Sequence, residues 1–448
     1  MPTLDSENLR ALELQKNGDF ELAKKILESL VLNNPQNPAL WGNLALVLED
    51  LKDFNAAENA FLESVFLEKD SLQNAVLRTN YAAFLMKHFC GLRHNEALPH
   101  LEIALKNDSQ NAIYFNALGV FYADKNENEK AIAFFEKSLK INNLHVPSRM
   151  NLAQLLLKIG DYQKGFKIGR RAYSNAFRQM PPYNLFPRGI YAPFEKNKNS
   201  FKNKDLLIIP EQGLGDEIHF SRFVPILKER LGFKKIHWIC RESLVDLFTE
   251  LPNIDFFEGL KTLQFGAHTF WQPHDFWCFL MDLPEILDFS PEKYNFQMPL
   301  FKKPQKSTVN EKNFLKIGIL ARGNPKHSND AARSIHDESV FKPLYNLKNV
   351  QIINFEKTFK NFLETSQSLL ELDFLVSVDS ALSHLAGSLN LPTFLLLPQF
   401  RSDWRWGIAQ NKTFWYPNHT LIRQEKSQCW QAEISKIANF LREKVAKF

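Results

Sequence analysis

Hydrophobic positions in the first 175 residues recur with a helical period nested inside a longer one. The small residues Ala23, Ala57, Ala97, Ala131 and Gly165 hold one recurring place, at spacings of 34, 40, 34 and 34 residues. Four residues on stand Leu27, Phe61, Leu101, Phe135 and Gly169, and three further on Leu30, Ser64, Ala104, Ser138 and Ala172. Offsets of four and three share one helix face, small beside large. Twelve residues before the marker lie Ala11, Ala45, Gly119 and Ala153. A second helix can approach closely there because no bulky side chain intervenes; Trp41 and Phe115 sit one turn earlier. Breaker-containing turns at Lys16-Asn17-Gly18-Asp19, Asn33-Asn34-Pro35 and Ile159-Gly160-Asp161 separate the helices. The pattern predicts stacked helical hairpins over residues 1–175. The third unit carries six extra residues between Asp70 and Glu96.

From Lys204 the pattern changes. Short apolar runs bounded by turn residues alternate with amphipathic stretches. Leu206 to Ile209, Ile236 to Ile239, Ile317 to Leu320, Val350 to Ile353, Phe374 to Val378 and Thr393 to Leu397 read as buried parallel strands, with helices on both sheet faces. The lysine- and proline-containing stretch from Phe301 to Phe314 reads as a linker between two α/β lobes, 204–300 and 315–448. A proline-rich linker, 176–203, with Pro181, Pro182, Pro187 and Pro193, joins the repeats to the first lobe. The end of the chain, Ala432 to Phe448, has helical spacing.

A chain of 448 residues, 44% hydrophobic, can bury at least two cores. Its 55 basic and 50 acidic residues nearly balance, and no basic cluster marks a nucleic-acid footprint. The first thirty residues carry Asp5, Glu7, Glu13, Asp19 and Glu21 and lack a signal-peptide core, and no apolar run is long enough to span a membrane. Cys90, Cys240, Cys278 and Cys429 are scattered without metal-ligand spacing. The expectation is a cytoplasmic protein with no metal site and no cofactor.

Three stretches could carry chemistry. Pro210-Glu211-Gln212-Gly213-Leu214-Gly215-Asp216-Glu217-Ile218-His219 follows a strand and opens a helix. Gly213 and Gly215 let backbone approach a ligand, and Asp216 at the helix start could take a proton from a hydroxyl or could simply cap the helix. His219, one turn on, is the second candidate base. At Val378-Asp379-Ser380-Ala381-Leu382-Ser383-His384 another strand turns into a helix. Its unpaired N–H groups and dipole suit a diphosphate, with Ser380 and Ser383 as extra donors. Taken alone, Asp379 is a cap and His384 a packed histidine. In Arg322-Gly323-Asn324-Pro325-Lys326-His327-Ser328-Asn329-Asp330, running on to Arg333, either Lys326 or Arg333 could neutralise a departing phosphate, or the loop is merely solvated.

The repeat residues resemble the tetratricopeptide repeat, whose stacked units form a groove that usually holds a peptide or protein segment. The three α/β stretches, with Pro398, Asp403-Trp404-Arg405-Trp406, Trp415-Tyr416-Pro417 and Arg423-Gln424, resemble the bacterial heptosyltransferase family of glycosyltransferases, and its relatives with tetratricopeptide repeats in front. The resemblance implies an α-solenoid followed by a two-lobed GT-B fold of Rossmann-like lobes, with donor on the C-terminal lobe and sugar transfer that inverts without metal. In two-lobed transferases the terminal helix can cross back to the first lobe. Asp216 becomes the general base. Asp379, Ser380, Ala381, Ser383 and His384 become the donor site, joined by Asn324, Lys326 and Arg333. Ala321-Arg322 departs from the family, where a tryptophan and a small residue often follow the strand. The substrate expected is a nucleotide sugar, and the acceptor a protein held by the repeats, flagellin among the candidates, or a lipid or oligosaccharide. A non-catalytic adaptor remains open. A kinase or dehydrogenase is disfavoured, because neither a phosphate-binding loop with Lys-Ser/Thr nor a full dinucleotide fingerprint is present.

Overall fold

The computed structural model describes residues 3–68, 72–89, 92–177, 201–260, 274–294, 300–301, 314–327, 329–358, 361–426 and 429–446. Most of both expected linkers, with Cys90, Asp70 and Ser328, therefore lies outside the described residues. The chain divides into two compact units, Met1–Leu152 and Ala153–Phe448.

The repeat face sets the first unit. Its helices are α1 (Leu4–Asn17), α2 (Phe20–Asn33), α3 (Pro38–Asp50), α4 (Phe54–Leu67), α5 (Leu72–His88), α6 (Ala97–Asn107), α7 (Ala112–Asp124) and α8 (Asn128–Ile141), and the unit boundary falls inside α9 (Val146–Ile159). Caps fix several starts: Asn37, Asp53 and Asn111 accept backbone N–H bonds from Ala39, Ala56 and Ile113. Gly18, at φ 89°, closes α1 in the left-handed conformation. Ala11, Ala23, Ala57, Ala97 and Ala131 are all completely buried, as are Leu27, Phe61 and Leu101. The small-beside-large rule is literal at Gly119, where an added Cβ would lie 2.4 Å from the Phe135 ring. Buried Ser64 and Ser138 satisfy themselves by donating to the Phe61 and Ala112 carbonyls. Neighbouring hairpins are tied by Asn43 donating to Asn8 at 2.9 Å and Asn151 donating to Asn116 at 3.0 Å. Part of the extra length of the third unit goes into α5, at 17 residues, and a short 3₁₀ turn over His94–Glu96.

The helix α10 (Tyr162–Phe177) lies in the second unit, ahead of the boundary at 175 expected from the repeats. A four-stranded sheet is built from β1 (Asp205–Ile209), β2 (Lys235–Arg241), β3 (Phe256–Leu260) and β4 (Phe276–Phe279), in the order β3-β2-β1-β4. A five-stranded sheet contains β5 (Leu315–Leu320), β6 (Val350–Asn354), β7 (Phe374–Val378), β8 (Thr393–Leu397) and β9 (His419–Arg423), in the order β6-β5-β7-β8-β9. Every neighbouring pair is parallel. All six expected strands form. The three unforeseen ones, β3, β4 and β9, lie at sheet edges; β3 and β9 mix polar residues into their runs, whereas Phe276-Trp277-Cys278-Phe279 of β4 is as apolar as the expected strands.

One apolar core joins Phe166 of α10, Leu206 and Ile208 of β1, Trp238 of β2 and Leu375 and Leu395 of the second sheet. Phe201 and Phe301, expected as linker residues, are buried in it. The other face of the second sheet, Ile317, Ile319, Val376 and Leu396, is covered by Ile434, Ile437 and Leu441. The terminal helix, Gln431–Val445, thus packs on the second sheet instead of crossing to the first, because its apolar stripe matches that sheet's outer face.

Candidate functional site

Parallel strands point their carboxyl ends the same way, and each of two strands runs through a polar corner into a helix. β1 leads through Pro210–Gly213 into α11 (Leu214–Phe220), and β7 leads through Asp379 and Ser380 into the helix Ala381–Ser388. The starts of the two helices meet. An added Cβ on Gly215 would lie 2.9 Å from His384 Cδ2 and 3.4 Å from Ala381 Cα, and one on Gly213 would lie 3.3 Å from Asp216 Oδ2. The space beside Gly215, expected to receive a ligand, is therefore taken by protein, whereas Gly213 meets only the Asp216 carboxylate. The left-handed residue at this corner is Gln212, at φ 61°, not a glycine.

Asp216 does two things at once. Its Oδ2 accepts the Gly213 N–H at 3.0 Å, the helix-capping role, while Oδ1 accepts from Arg405 Nη2. The Asp216 side chain is 26% exposed and that of Arg405 only 4%. Arg405 Nη1 also donates to both oxygens of Asp403, each at 3.0 Å. Its guanidinium lies 4.6 Å from the Trp404 ring centroid. Burial opposes the Arg405 charge, but Asp403 and then Asp216 more than offset it, so its pKa is raised.

Behind this pair His219 and His384 share one phenol. Their Nδ1 atoms lie 3.0 and 2.9 Å from the Tyr416 hydroxyl. That hydroxyl has a single proton, so it can donate to one ring only, and at least one histidine donates to it through Nδ1. Asp379 Oδ1, 3.8 Å from His384 Nε2, selects a protonated Nε2 on His384. His219 then donates through Nδ1 and is left with a bare Nε2, which is buried without a partner. Burial first, then nearby cationic groups, push both histidines well below the usual range. Burial pushes Tyr416 up to about 12. His219 is neutral but sealed, with no exposed surface, whereas the Asp216 side chain is partly exposed.

At the second corner Ser380 Oγ accepts the Ser383 N–H at 3.4 Å, and Ser383 Oγ accepts the Ser380 N–H at 3.2 Å. These two hydroxyls, expected as extra donors, close a capping box, and Ser383 Oγ donates its proton to the Ser380 carbonyl at 2.7 Å, while Ser380 Oγ only accepts there and keeps its proton to donate. That leaves the Ala381 and Leu382 amides at the helix start. Asp379 is pushed up to about 7, first by burial and then by the Asp403 carboxylate. Arg333 packs against Gly323, where an added Cβ would lie 2.7 Å from its Nη2, and its charge is felt at Asp379 and His384. Asn324 accepts the Lys326 N–H at 3.0 Å in its own turn, and the Lys326 side chain is exposed. Of that loop, then, Arg333 and His327 are brought to the corner, His327 close enough for the charges of Arg333, Asp216 and Asp403 to act on it.

Arg405, Asp403 and Tyr416 had no assigned role in the sequence, although all stand in its aromatic clusters. Glu211 was also missed. It is buried, its Oε1 accepts the Met281 N–H at 3.1 Å, and its Oε2 has no partner. Burial, then the neighbouring Asp282, push its pKa well up. Among the described residues no cluster of His, Cys, Asp or Glu could hold a metal ion, and no helix is long and apolar enough to cross a membrane. A cavity of about 350 Å³ lies on another side of Tyr416, lined by Arg222, Tyr294, Gly387 and Trp415, and does not include Asp216 or Asp379.

Residues 8–70 and 92–146 match the tetratricopeptide-repeat family. Over 540 aligned positions the chain is 21% identical to protein FlbA of Caulobacter vibrioides, spanning 97% of this chain and 89% of that protein. Among solved structures, PilW, a type IV pilus biogenesis factor, is 21% identical over 38% of this chain and 78% of its own, with a TM-score of 0.35. A thermophilic tetratricopeptide-repeat protein of Thermus thermophilus is 22% identical over 40% of this chain and 93% of its own, also with a TM-score of 0.35. The first unit thus carries tetratricopeptide repeats, which suggest a protein-interaction role.

Proposed function

We propose that the second unit is a GT-B glycosyltransferase that moves a sugar from a nucleotide-activated donor to an acceptor hydroxyl, inverting and without metal, and that the repeats hold a protein acceptor. The observation that carries this is the meeting of two strand-to-helix corners at the carboxyl ends of two parallel sheets, where open α/β folds bind ligands. One corner brings a partly exposed carboxylate, Asp216; the other brings helix amides with Arg333 and Arg405 close by.

In this reading the acceptor hydroxyl attacks the sugar carbon in line as Asp216 removes its proton. The bond to the leaving phosphate breaks, and the charge that develops there meets the Ala381 and Leu382 amides and the arginines. Asp379 holds His384 in the tautomer that keeps Tyr416 and His219 in register.

Thermal denaturation of the full chain with a panel of nucleotides tests the donor. A ligand at ~100 times its Kd adds roughly 2.7 kcal/mol, a visible shift. With the donor identified, Asp216→Asn is expected to lower turnover by about 10²–10⁴-fold. The Asn retains an oxygen for the Gly213 cap, so the fold survives. Unchanged turnover would leave Asp216 as a cap and interlobe tie alone. No stabilisation by any nucleotide at millimolar concentration would favour an adaptor whose working part is the repeats.

A further inference from the structure

Arg405 is a buried cation with a choice of anions. Three of its donor contacts go to carboxylates: two to Asp403 and one to Asp216. The two partners are not equivalent. Asp403 is next-but-one in sequence, takes both oxygens to Nη1 and also accepts the Arg405 backbone N–H at 2.9 Å. It is fixed by its own turn. Asp216 comes from the other sheet, 189 residues away, uses one oxygen, and is the more accessible member of its ion pair. Arg405 Nε is buried and lacks a hydrogen-bond partner, and stacking against Trp404 and Phe220 holds the guanidinium plane in place.

A phosphate arriving at this corner would meet three carboxylates, Asp216, Asp379 and Asp403. Adding its charge without displacing one of them places like charges side by side out of water, which is costly. Phosphate also matches the guanidinium fork at least as well as a carboxylate does. The partner that can leave at least cost is Asp216, because it gives up one hydrogen bond to the guanidinium where Asp403 would give up two, and its other oxygen keeps the Gly213 cap.

We propose that Arg405 is a positioning residue that exchanges Asp216 for a phosphate of the nucleotide-activated donor, freeing Asp216 for the acceptor hydroxyl only once the donor is seated. This rests on the transferase reading above. It makes the donor the first substrate to bind. It also keeps one oxygen of the base engaged with Arg405 while the donor is absent.

The experiment is calorimetric binding of inorganic pyrophosphate, ADP, GDP and UDP to the full chain and to Asp216→Asn, Arg405→Lys, Arg405→Gln and the double variant Asp216→Asn/Arg405→Gln. Removing the competing carboxylate is expected to tighten diphosphate binding by roughly 3- to 10-fold, the worth of one partly exposed ion pair. Arg405→Lys weakens binding, and Asp216→Asn has no effect once Arg405 is Gln. A carboxylate with a purely structural role would give the opposite sign, since its loss would loosen the corner and weaken binding. Wild-type binding with equal or weaker binding by Asp216→Asn overturns the exchange and leaves the transferase reading standing. Failure of the wild type to bind any of the four at millimolar concentration overturns both. Should Arg405→Gln not fold by circular dichroism, the Asp216→Asn and Arg405→Lys arms decide the matter alone.

Discussion

At Gly215 a single missing methyl group lets two helix starts touch. An added Cβ meets the His384 ring at 2.9 Å and Ala381 backbone at 3.4 Å, and neither neighbour has room to retreat: His384 is bonded to Tyr416, and Ala381 is main chain. Alanine ordinarily improves a helix by up to ~1 kcal/mol over glycine. Overpacking here costs about 1–3 kcal/mol, so the clash wins. Gly215→Ala is expected to lower the urea midpoint and to separate Asp216 from Arg405, weakening any nucleotide bound at the corner. A midpoint at or above that of the wild type would show that the two helices are free to part. The glycine was legible in the sequence as a close approach, but what approaches was not, because His384 lies in the other sheet's corner.

At the scale of elements, the hairpin α7 and α8 turns on Gly119 beneath the Phe135 ring. The contact repeats the pattern of a small residue twelve before the marker and a large one four after it. Gly119→Ala would put a methyl group 2.4 Å from that ring, and about 1–3 kcal/mol of strain should outweigh the propensity gain of up to ~1 kcal/mol. The overlap is with a side chain, so shortening it relieves the strain. Gly119→Ala combined with Phe135→Leu is expected to cost less than the sum of the two single changes, a coupling read from a double-mutant cycle in urea. Additive effects would mean that the helices separate instead of clashing. The hairpins were readable because a helix repeats its surface every three to four residues within one segment. The edge strands β3 and β9 were not, since Phe256-Phe257-Glu258-Gly259-Leu260 and His419-Thr420-Leu421-Ile422-Arg423 mix polar residues and glycine into runs too short to show a period.

For the molecule as a whole, α10 decides where the chain can be cut. Tyr162 stacks edge-on against Trp415 at 5.6 Å, and Phe166 against Trp404 at 5.7 Å. Arg170 lies 3.2 Å from Glu285 and 3.7 Å from Asp282. Its loss would leave Asp282 buried near Glu211 with less opposing charge. A fragment of residues 153–448 is therefore expected to keep nucleotide binding, with a melting temperature close to that of this unit in the full chain. A fragment of residues 176–448 should lose several kcal/mol, from two uncovered aromatic sites and a buried carboxylate deprived of its arginine. Differential scanning calorimetry of the two fragments separates these outcomes, and equal stability would place α10 outside the core. Under the proposed transferase function, removal of residues 1–152 is expected to abolish transfer to a protein acceptor while donor hydrolysis survives; unchanged transfer would assign the repeats another purpose.

The sequence by itself determined what local periodicity can encode: hairpins whose alanines, glycines and aromatics recur at fixed offsets, six apolar strands, and two polar corners where a strand must turn into a helix. Each of these depends on residues within about a dozen positions of one another. Tertiary structure alone decided what those corners face. Arg405 reaches Asp216 across 189 residues and Tyr416 reaches His219 across 197. Only the packing of one sheet's helix start against the other's turns a helix-capping aspartate into the partner of a buried arginine and two ordinary histidines into opposite tautomers on one hydroxyl. Tertiary packing likewise drew α10 into the second unit's core and, on a separate face, laid the terminal helix on the second sheet, since an apolar stripe specifies that a face be covered but not which surface covers it.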